Sequence, residues 1–196
     1  MLRRDLLSFG LLLTAGGLAS TLPRADAAEP DKAVVRPGLL VKGAKGTWKG
    51  KGNASGSLTA DVLVQKIAVN PTTRALTVQG RIASPGGTGG LAAFVSQPFT
   101  AKAKLTAAEA EGKSCGALTL KIRTINLSIR GGLAITLAPI KLDLTGLTDG
   151  ARKLGNQLCL LADELAGKGS TTELEQLVAR INNILANNLI TIPQSK

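Results

Sequence analysis

Apolar residues form a mirror-symmetric pattern on the two sides of Gly131, and this pattern constrains the fold more than any other feature of the chain. On each side, apolar and polar residues alternate, which is the period of a half-buried strand. A glycine at the centre suits a tight loop, since glycine accepts positive φ. The sequence therefore predicts one long antiparallel hairpin. Its predicted facing pairs are Ile129 with Leu133, Ile125 with Leu137, Ile122 with Ile140 and Leu118 with Leu144.

The alternation shifts by one residue at Arg123-Thr124 and again at Ala138-Pro139, which this hairpin places opposite each other. A shift of one residue moves the following side chains to the other face of a sheet. Both strands therefore change their buried face at the same level. We predict matched bulges or a sharp bend there, where the hairpin passes from one layer to another; a proline is tolerated at such a position.

After the hairpin, the apolar period changes from that of a strand to that of a helix. Leucines recur at spacings of three and four residues from Leu154 to Leu165, and either Thr148 or Asp149 is suited to cap the N-terminus. These features predict a helix over residues 148–166.

The chain has two cysteines, Cys115 just before the hairpin and Cys159 beside the leucine stripe of this helix. Packing of the helix on the hairpin would bring the two thiols together. In an oxidising compartment we therefore expect a disulfide between Cys115 and Cys159, and two free buried cysteines are the alternative.

The segment from Ser170 to Glu173 has the sequence of a capping box, and an apolar stripe follows it, so a second helix is predicted over residues 171–189.

Period-two alternation predicts further strands before the hairpin, at 58–69, 76–82 and 92–106, separated by a turn at 70–73 and a glycine-rich loop at 84–90. The predicted class is α+β. The expected form is an antiparallel β-sheet, or a partly open barrel or sandwich, of five or more strands, followed by two C-terminal helices.

The run Leu-Gly-Asn-Gln-Leu-Cys that ends at Cys159, together with Cys115 and the strands between them, resembles a family of uncharacterised exported bacterial proteins. Members of that family carry Leu-Gly-Asn-x-Leu-Cys at the second cysteine. The Gly-Thr-Trp-x-Gly segment at 46–50 resembles the start of the family, so the resemblance covers about residues 46 to 165. It implies a β-rich fold and export, without an established activity. Arg130 departs from the apolar hairpin tip of the family.

The N-terminus has the features of an export signal peptide over residues 1–27. Arg3 and Arg4 precede an apolar run, and an Ala-Asp-Ala cleavage motif ends at Ala27, so we expect a mature chain that begins at Ala28. The arginine pair resembles a twin-arginine signal, and general secretion is the alternative route. The expected location is periplasmic or extracellular, with no membrane span after cleavage.

Residues 28–57 form a basic, glycine-rich lead, and we predict a basic flexible arm over its first part, residues 28–45, followed by a single domain over 46–196 with a C-terminal helical lid. The chain carries a formal net charge of +11. Such a charge favours contact with an anionic envelope surface, whereas a role in solubility alone is the other interpretation. The candidate contact residues are Lys42, Lys45, Lys49 and Lys51.

The chain contains no histidine and no tyrosine. This composition excludes a histidine general base, every Ser-His-Asp arrangement and most zinc sites. A serine-lysine or carboxylate pair is still open, but no motif isolates one, so we expect no catalytic residue, no metal and no cofactor. Aromatic residues are too few for a base-stacking platform, and we expect no nucleic-acid partner.

We therefore expect an exported, non-catalytic binding or structural domain that acts at the cell envelope or outside the cell. A carrier that holds an apolar small molecule or lipid between sheet and helices is the first alternative. An enzyme of unidentified type is the second.

Overall fold

A computed structural model describes residues 36–87, 96–108, 115–129, 131–145, 149–168 and 170–193. Over these ranges, nine strands form one mostly antiparallel sheet that curls into a half-barrel, and two helices pack on it, so the α+β expectation is confirmed. The elements are β1 Gly38–Lys49, β2 Ser55–Val69, β3 Leu76–Gly87, β4 Gln97–Ala108, β5 Ala117–Ile122, β6 Ile125–Ile129, β7 Leu133–Leu137, β8 Ile140–Asp143, α1 Asp149–Asp163, α2 Thr171–Asn187 and β9 Leu189–Pro193.

The long hairpin has the predicted register in both of its halves. Ile125 pairs with Leu137 in the β6–β7 ladder, and Ile122 pairs with Ile140 in the β5–β8 ladder. Gly131 lies in the connecting loop with a φ of 100°, in the left-handed region that favours glycine. The mirror symmetry of the apolar residues therefore fixed the pairing, because each inward-facing residue needs an apolar partner on the opposite strand.

The shift in the middle of the hairpin divides it into two strand pairs. The pair β6–β7 lies at one end of the sheet, and the pair β5–β8 lies at the other end. The strand order is β6-β7-β1-β2-β3-β4-β5-β8, with β9 paired to β1. Near the shift, the Arg123 amide donates to the Lys102 carbonyl at 2.9 Å, and the Ala138 amide donates to the Lys45 carbonyl at 2.9 Å. One hairpin thus hydrogen-bonds to both β4 and β1, and it brings the two ends of the curled sheet together.

The prediction of a flexible arm over 28–45 is wrong from Gly38 onward, and residues 28–35 lie outside the described residues. Residues 38–49 form β1, which pairs with β2 on one side and with β7 and β9 on the other. Leu39 and Val41 are buried in the core. Its lysines and glycines resemble those of a linker, but the backbone of this segment is hydrogen-bonded to other strands on both edges. Local composition does not reveal pairing with distant strands.

The C-terminus contains a strand that the sequence did not predict. The predicted helix 171–189 ends at Asn187, and Leu189–Pro193 forms β9, parallel to β1. Five residues that end in proline carry too little alternation to indicate a strand. The prediction of a glycine-rich loop over 84–90 is wrong for residues 84–87, which belong to β3, and residues 88–90 lie outside the described residues.

The two helices cover the inner face of the sheet with the stripes that the sequence predicted. On α1, Leu154, Leu158 and Leu161 are fully buried, and a π-helical turn over Glu164–Lys168 extends this helix. On α2, the buried residues are Leu174, Leu177, Ile181 and Leu185. These residues join the inward-facing residues of the strands in one core.

The capping box at the start of α2 is confirmed. The Glu173 amide donates to the Ser170 hydroxyl at 3.3 Å, and the Ser170 amide donates to the Glu173 carboxylate at 2.9 Å. Donation from the Ser170 amide and hydroxyl lowers the pKa of Glu173. The carboxylate is therefore ionised at neutral pH, in the form that accepts both hydrogen bonds.

Asn182 joins α2 to the sheet by two hydrogen bonds to a single residue of β2. The Ile67 amide donates to Asn182 Oδ1 at 2.8 Å, and Asn182 Nδ2 donates to the Ile67 carbonyl at 2.9 Å. The β1–β2 ladder ends at the pair of Leu39 with Val64, so β1 does not hydrogen-bond to Ile67. The Asn182 side chain supplies these hydrogen bonds in place of a neighbouring strand. The pair satisfies backbone groups of a residue that is only 2% exposed.

Replacing Asn182 with alanine is expected to lower the free energy of unfolding by about 2 kcal/mol, because it leaves the Ile67 amide and carbonyl without their partners. Asn183→Ala is the matched control, since Asn183 is exposed on the same helix. Urea unfolding of both variants measures the difference. Equal stability of the two variants would contradict a structural role for the Asn182 pair.

Candidate anion-binding face

Five basic residues lie on the outer face of the sheet, where β4, β5 and β8 are adjacent. On β5, the inward neighbours Leu120 and Ile122 are fully buried, whereas Lys121 between them is exposed. The same alternation exposes basic residues on β4 and β8 and just beyond β5. We call this set the basic face, and it consists of Lys102, Lys104, Lys121, Arg123 and Lys141.

Three lysines of the basic face form one row across three neighbouring strands. Lys104 pairs with Lys121 in the β4–β5 ladder, and Lys121 pairs with Lys141 in the β5–β8 ladder. Neighbouring strands lie about 4.8 Å apart, and like charges directly opposite each other destabilise a sheet. The row therefore concentrates positive charge at an energetic cost that a bound anion would offset.

Among the described residues, Asp143 places an acidic side chain beside this row, two residues after Lys141 on β8. Its Oδ1 accepts a hydrogen bond from the Thr145 amide at 3.0 Å. Hydrogen bonds from Thr145 and, more weakly, the charge of Lys141 hold the pKa of Asp143 below its usual value. This carboxylate is engaged mainly by Thr145, and it balances only part of the charge of the basic face.

A cleft of about 380 Å³ lies at one end of the basic face, beside the π-helical turn that follows α1. Arg74 closes one side of it, and the Nη1 group of Arg74 donates a hydrogen bond to the Glu164 carbonyl. The cleft is lined by the basic residues Arg74, Lys102, Lys104 and Arg123 and by the apolar residues Ala75, Leu76, Ala103, Leu105 and Leu165.

The four lysines predicted to contact an anionic surface are all exposed, but they do not form one cluster. Lys45 and Lys49 lie on the outer face of β1, four residues apart. Lys42 lies at the bulge of β1, and Lys51 lies in a short 3-10 turn beside Gly132 of the hairpin loop. In the strand order, β2 and β3 lie between β1 and β4, but the Ala138 amide donates to the Lys45 carbonyl, so Lys45 lies near the shift of the hairpin, whereas Lys49 pairs with Ala134 towards the hairpin loop.

The basic face was missed by the sequence analysis, although part of its signal was present. Lys121 and Lys141 are equally distant from Gly131, so the predicted hairpin register already placed them opposite each other. Lys104 belongs to another strand, and its position opposite Lys121 depends on a tertiary pairing.

The predicted disulfide between Cys115 and Cys159 is confirmed. It joins the residues just before β5 to α1, with the two Cα atoms 5.9 Å apart. A disulfide is compatible with an oxidising location. The cleavage site at Ala27 and Ala28 lies outside the described residues.

A second cleft, of about 240 Å³, lies between the end of β2 and α2. Its lining includes Val69, Leu174 and Val178, which are apolar, together with Glu175 and Asn182. Within the described ranges, no helix has the length and apolar character needed to cross a membrane, and no three His, Cys, Asp or Glu side chains cluster as metal ligands would.

Comparison with protein-family models, with curated proteins and with solved structures found no match for this chain. The resemblance carried by the cysteine motif gains no support from these comparisons.

Proposed function

We propose that this protein is an exported, non-catalytic domain that attaches to an anionic envelope surface through the basic face. The observation that carries the proposal is the row of Lys104, Lys121 and Lys141 on three adjacent strands. Repulsion within such a row disfavours the free protein and is relieved when phosphate groups bind. An anionic surface is therefore a better partner for this face than water.

The chemistry of these side chains supports binding rather than catalysis. Lysine and arginine side chains carry positive charge and only donate hydrogen bonds, so they are suited to hold anions. The chain has no histidine to supply a base with a pKa near neutrality. The disulfide and the arginine-containing N-terminus support export.

Sedimentation with vesicles tests this proposal. We expect the protein to bind vesicles of phosphatidylglycerol and phosphatidylcholine in equal parts, but not vesicles of phosphatidylcholine alone, with affinity falling as salt is raised. The variant Lys121→Gln/Lys141→Gln should bind about 30-fold more weakly, since each lysine near an anionic surface contributes about 1 kcal/mol. Both residues belong to the row, and neither lines the cleft.

The matched control is Lys49→Gln/Lys51→Gln, which removes the same charge from exposed residues near the hairpin loop, at the end of the hairpin opposite to β8. We expect this control to retain most of the binding. Equal weakening by the two pairs would show that net charge, rather than the basic face, determines binding. Absence of binding at low salt would leave the charge with a role in solubility.

A further inference from the structure

We infer that the cleft beside the π-helical turn binds a single amphipathic anion, with its anionic head at the basic residues and its hydrocarbon chain on the apolar lining. The chemical class is a fatty carboxylate or an alkyl phosphate. This inference goes beyond surface attachment, because it concerns one molecule bound in a defined cleft. The cleft volume of about 380 Å³ lies within the usual range of small-molecule sites.

The apolar part of the lining comes from the helix-covered face of the sheet and from the turn that follows α1. Leu76 is buried, whereas Ala103 and Leu105 on β4 are only partly buried, although they lie on the same inward face. Leu165 of the π-helical turn, also partly buried, lies on the other side. Partly buried aliphatic side chains around one cleft are suited to an alkyl chain, whose burial contributes about 0.8 kcal/mol per CH₂ group.

The basic part of the lining includes two arginines, each fixed by a hydrogen bond to a backbone carbonyl. The Arg74 side chain donates to the Glu164 carbonyl, which fixes the position of its guanidinium beside the π-helical turn. The Arg123 amide donates to the Lys102 carbonyl, which fixes the backbone of Arg123 at the shift of the hairpin. Guanidinium groups are planar and bind carboxylate or phosphate oxygens in pairs.

The cleft opens where β4 passes beyond the end of β3. The β3–β4 ladder ends at the pair of Leu76 with Ala103, and the next residue of β4 is Lys104. Strand alternation places Lys102 and Lys104 on the outer face, whereas Ala103 and Leu105 lie on the inner face. At this point the positive outer face therefore adjoins the apolar inner face. The anionic head of an amphiphile can contact the first while its alkyl chain contacts the second.

Titration of the full-length protein with three probes tests the inference. Decanoate carries both a carboxylate and an alkyl chain, decanol carries the chain alone, and inorganic phosphate carries the charge alone. We expect decanoate to bind with a Kd at least about tenfold lower than either of the others, below its micelle-forming concentration. Equal binding of decanoate and decanol, or of decanoate and phosphate, would overturn the inference, as would no binding of decanoate.

Two pairs of variants locate the site. Arg123→Gln should weaken decanoate binding about tenfold, as the loss of a charge-assisted hydrogen bond predicts, whereas Lys49→Gln, which removes an equal charge from an exposed residue of β1 outside the cleft and the basic face, should have little effect. Leu165→Ala should also weaken binding, whereas Leu160→Ala should not, because Leu160 is 41% exposed and does not line the cleft. Equal effects within either pair would overturn the assignment to this cleft.

The source of the amphiphile is distinguished by repeating the vesicle measurement with Arg123→Gln. Weaker binding to the anionic vesicles, together with weaker decanoate binding, supports a membrane lipid as the ligand. Unchanged vesicle binding with weaker decanoate binding supports a free amphiphile. Lys121 and Lys141 do not line the cleft, so Lys121→Gln/Lys141→Gln tests vesicle binding without altering the cleft. Loss of vesicle binding and loss of decanoate binding are therefore distinguished by separate variants.

Discussion

Replacing Gly80 with alanine is expected to destabilise the fold by about 3 kcal/mol or more, the largest effect we expect from a single added methyl group. Gly80 lies on β3, opposite Val64 of β2 and Phe99 of β4. A Cβ atom built there would overlap the backbone carbonyl of Leu63. That carbonyl belongs to the backbone of β2, so it cannot move away without disturbing the β2–β3 ladder.

Gly155→Ala provides the control, because it adds the same methyl group at an open position. The nearest atom to a Cβ built at Gly155 is the Leu144 carbonyl oxygen at 3.9 Å, an ordinary contact distance. Gly155 lies within α1, so alanine is expected to raise the free energy of unfolding by about 0.5 to 1 kcal/mol. Urea unfolding measures both changes, and a Gly80→Ala protein as stable as the parent would contradict the close approach of β2 and β3.

Removing the disulfide by Cys115→Ser/Cys159→Ser is expected to lower the free energy of unfolding by about 4 kcal/mol without abolishing the fold. The two cysteines are 44 residues apart, and the chain-entropy model gives about this value for a loop of that length. The fully buried Leu154, Leu158 and Leu161 hold α1 on the sheet independently of the bond.

Two measurements check this prediction. Chemical unfolding of the double serine variant and of the reduced parent should give the same lowered stability, because both lack the crosslink. A double variant that is wholly unfolded in buffer would show that helix packing alone does not maintain the fold. Two titratable thiols in the unfolded, non-reduced parent protein would show that Cys115 and Cys159 are not bonded in solution.

Elements whose signal lies within a short stretch of chain were predicted from the sequence. The hairpin around Gly131 was predicted in its register, because its apolar residues lie at equal distances on both sides and an antiparallel pair of strands buries them together. The capping box at Ser170 and the leucine stripes of both helices were predicted for the same reason. The disulfide followed from two cysteines that these local elements bring together.

Elements that depend on distant partners were not predicted. The residues 38–45 have the composition of a linker, yet they form a central strand, because β2, β7 and β9 hydrogen-bond to both edges of β1. Leu189–Pro193 is too short to indicate a strand, and it adopts that conformation because β1 offers it a free edge. Both segments owe their conformation to partners far away in the chain.

The candidate site likewise has one part that the sequence predicts and another part that depends on the tertiary structure. The sequence by itself determined that Lys121 faces Lys141, since the hairpin register that buries Ile122 against Ile140 exposes these two lysines together. Only the tertiary structure decided that Lys104 lies beside them and that Arg123 and Leu165 line one cleft. The physical reason is that apolar burial fixes the pairing of neighbouring strands through a short-range pattern, whereas the pairing of β4 with β5 and the position of the turn after α1 depend on how the whole sheet curls around its core.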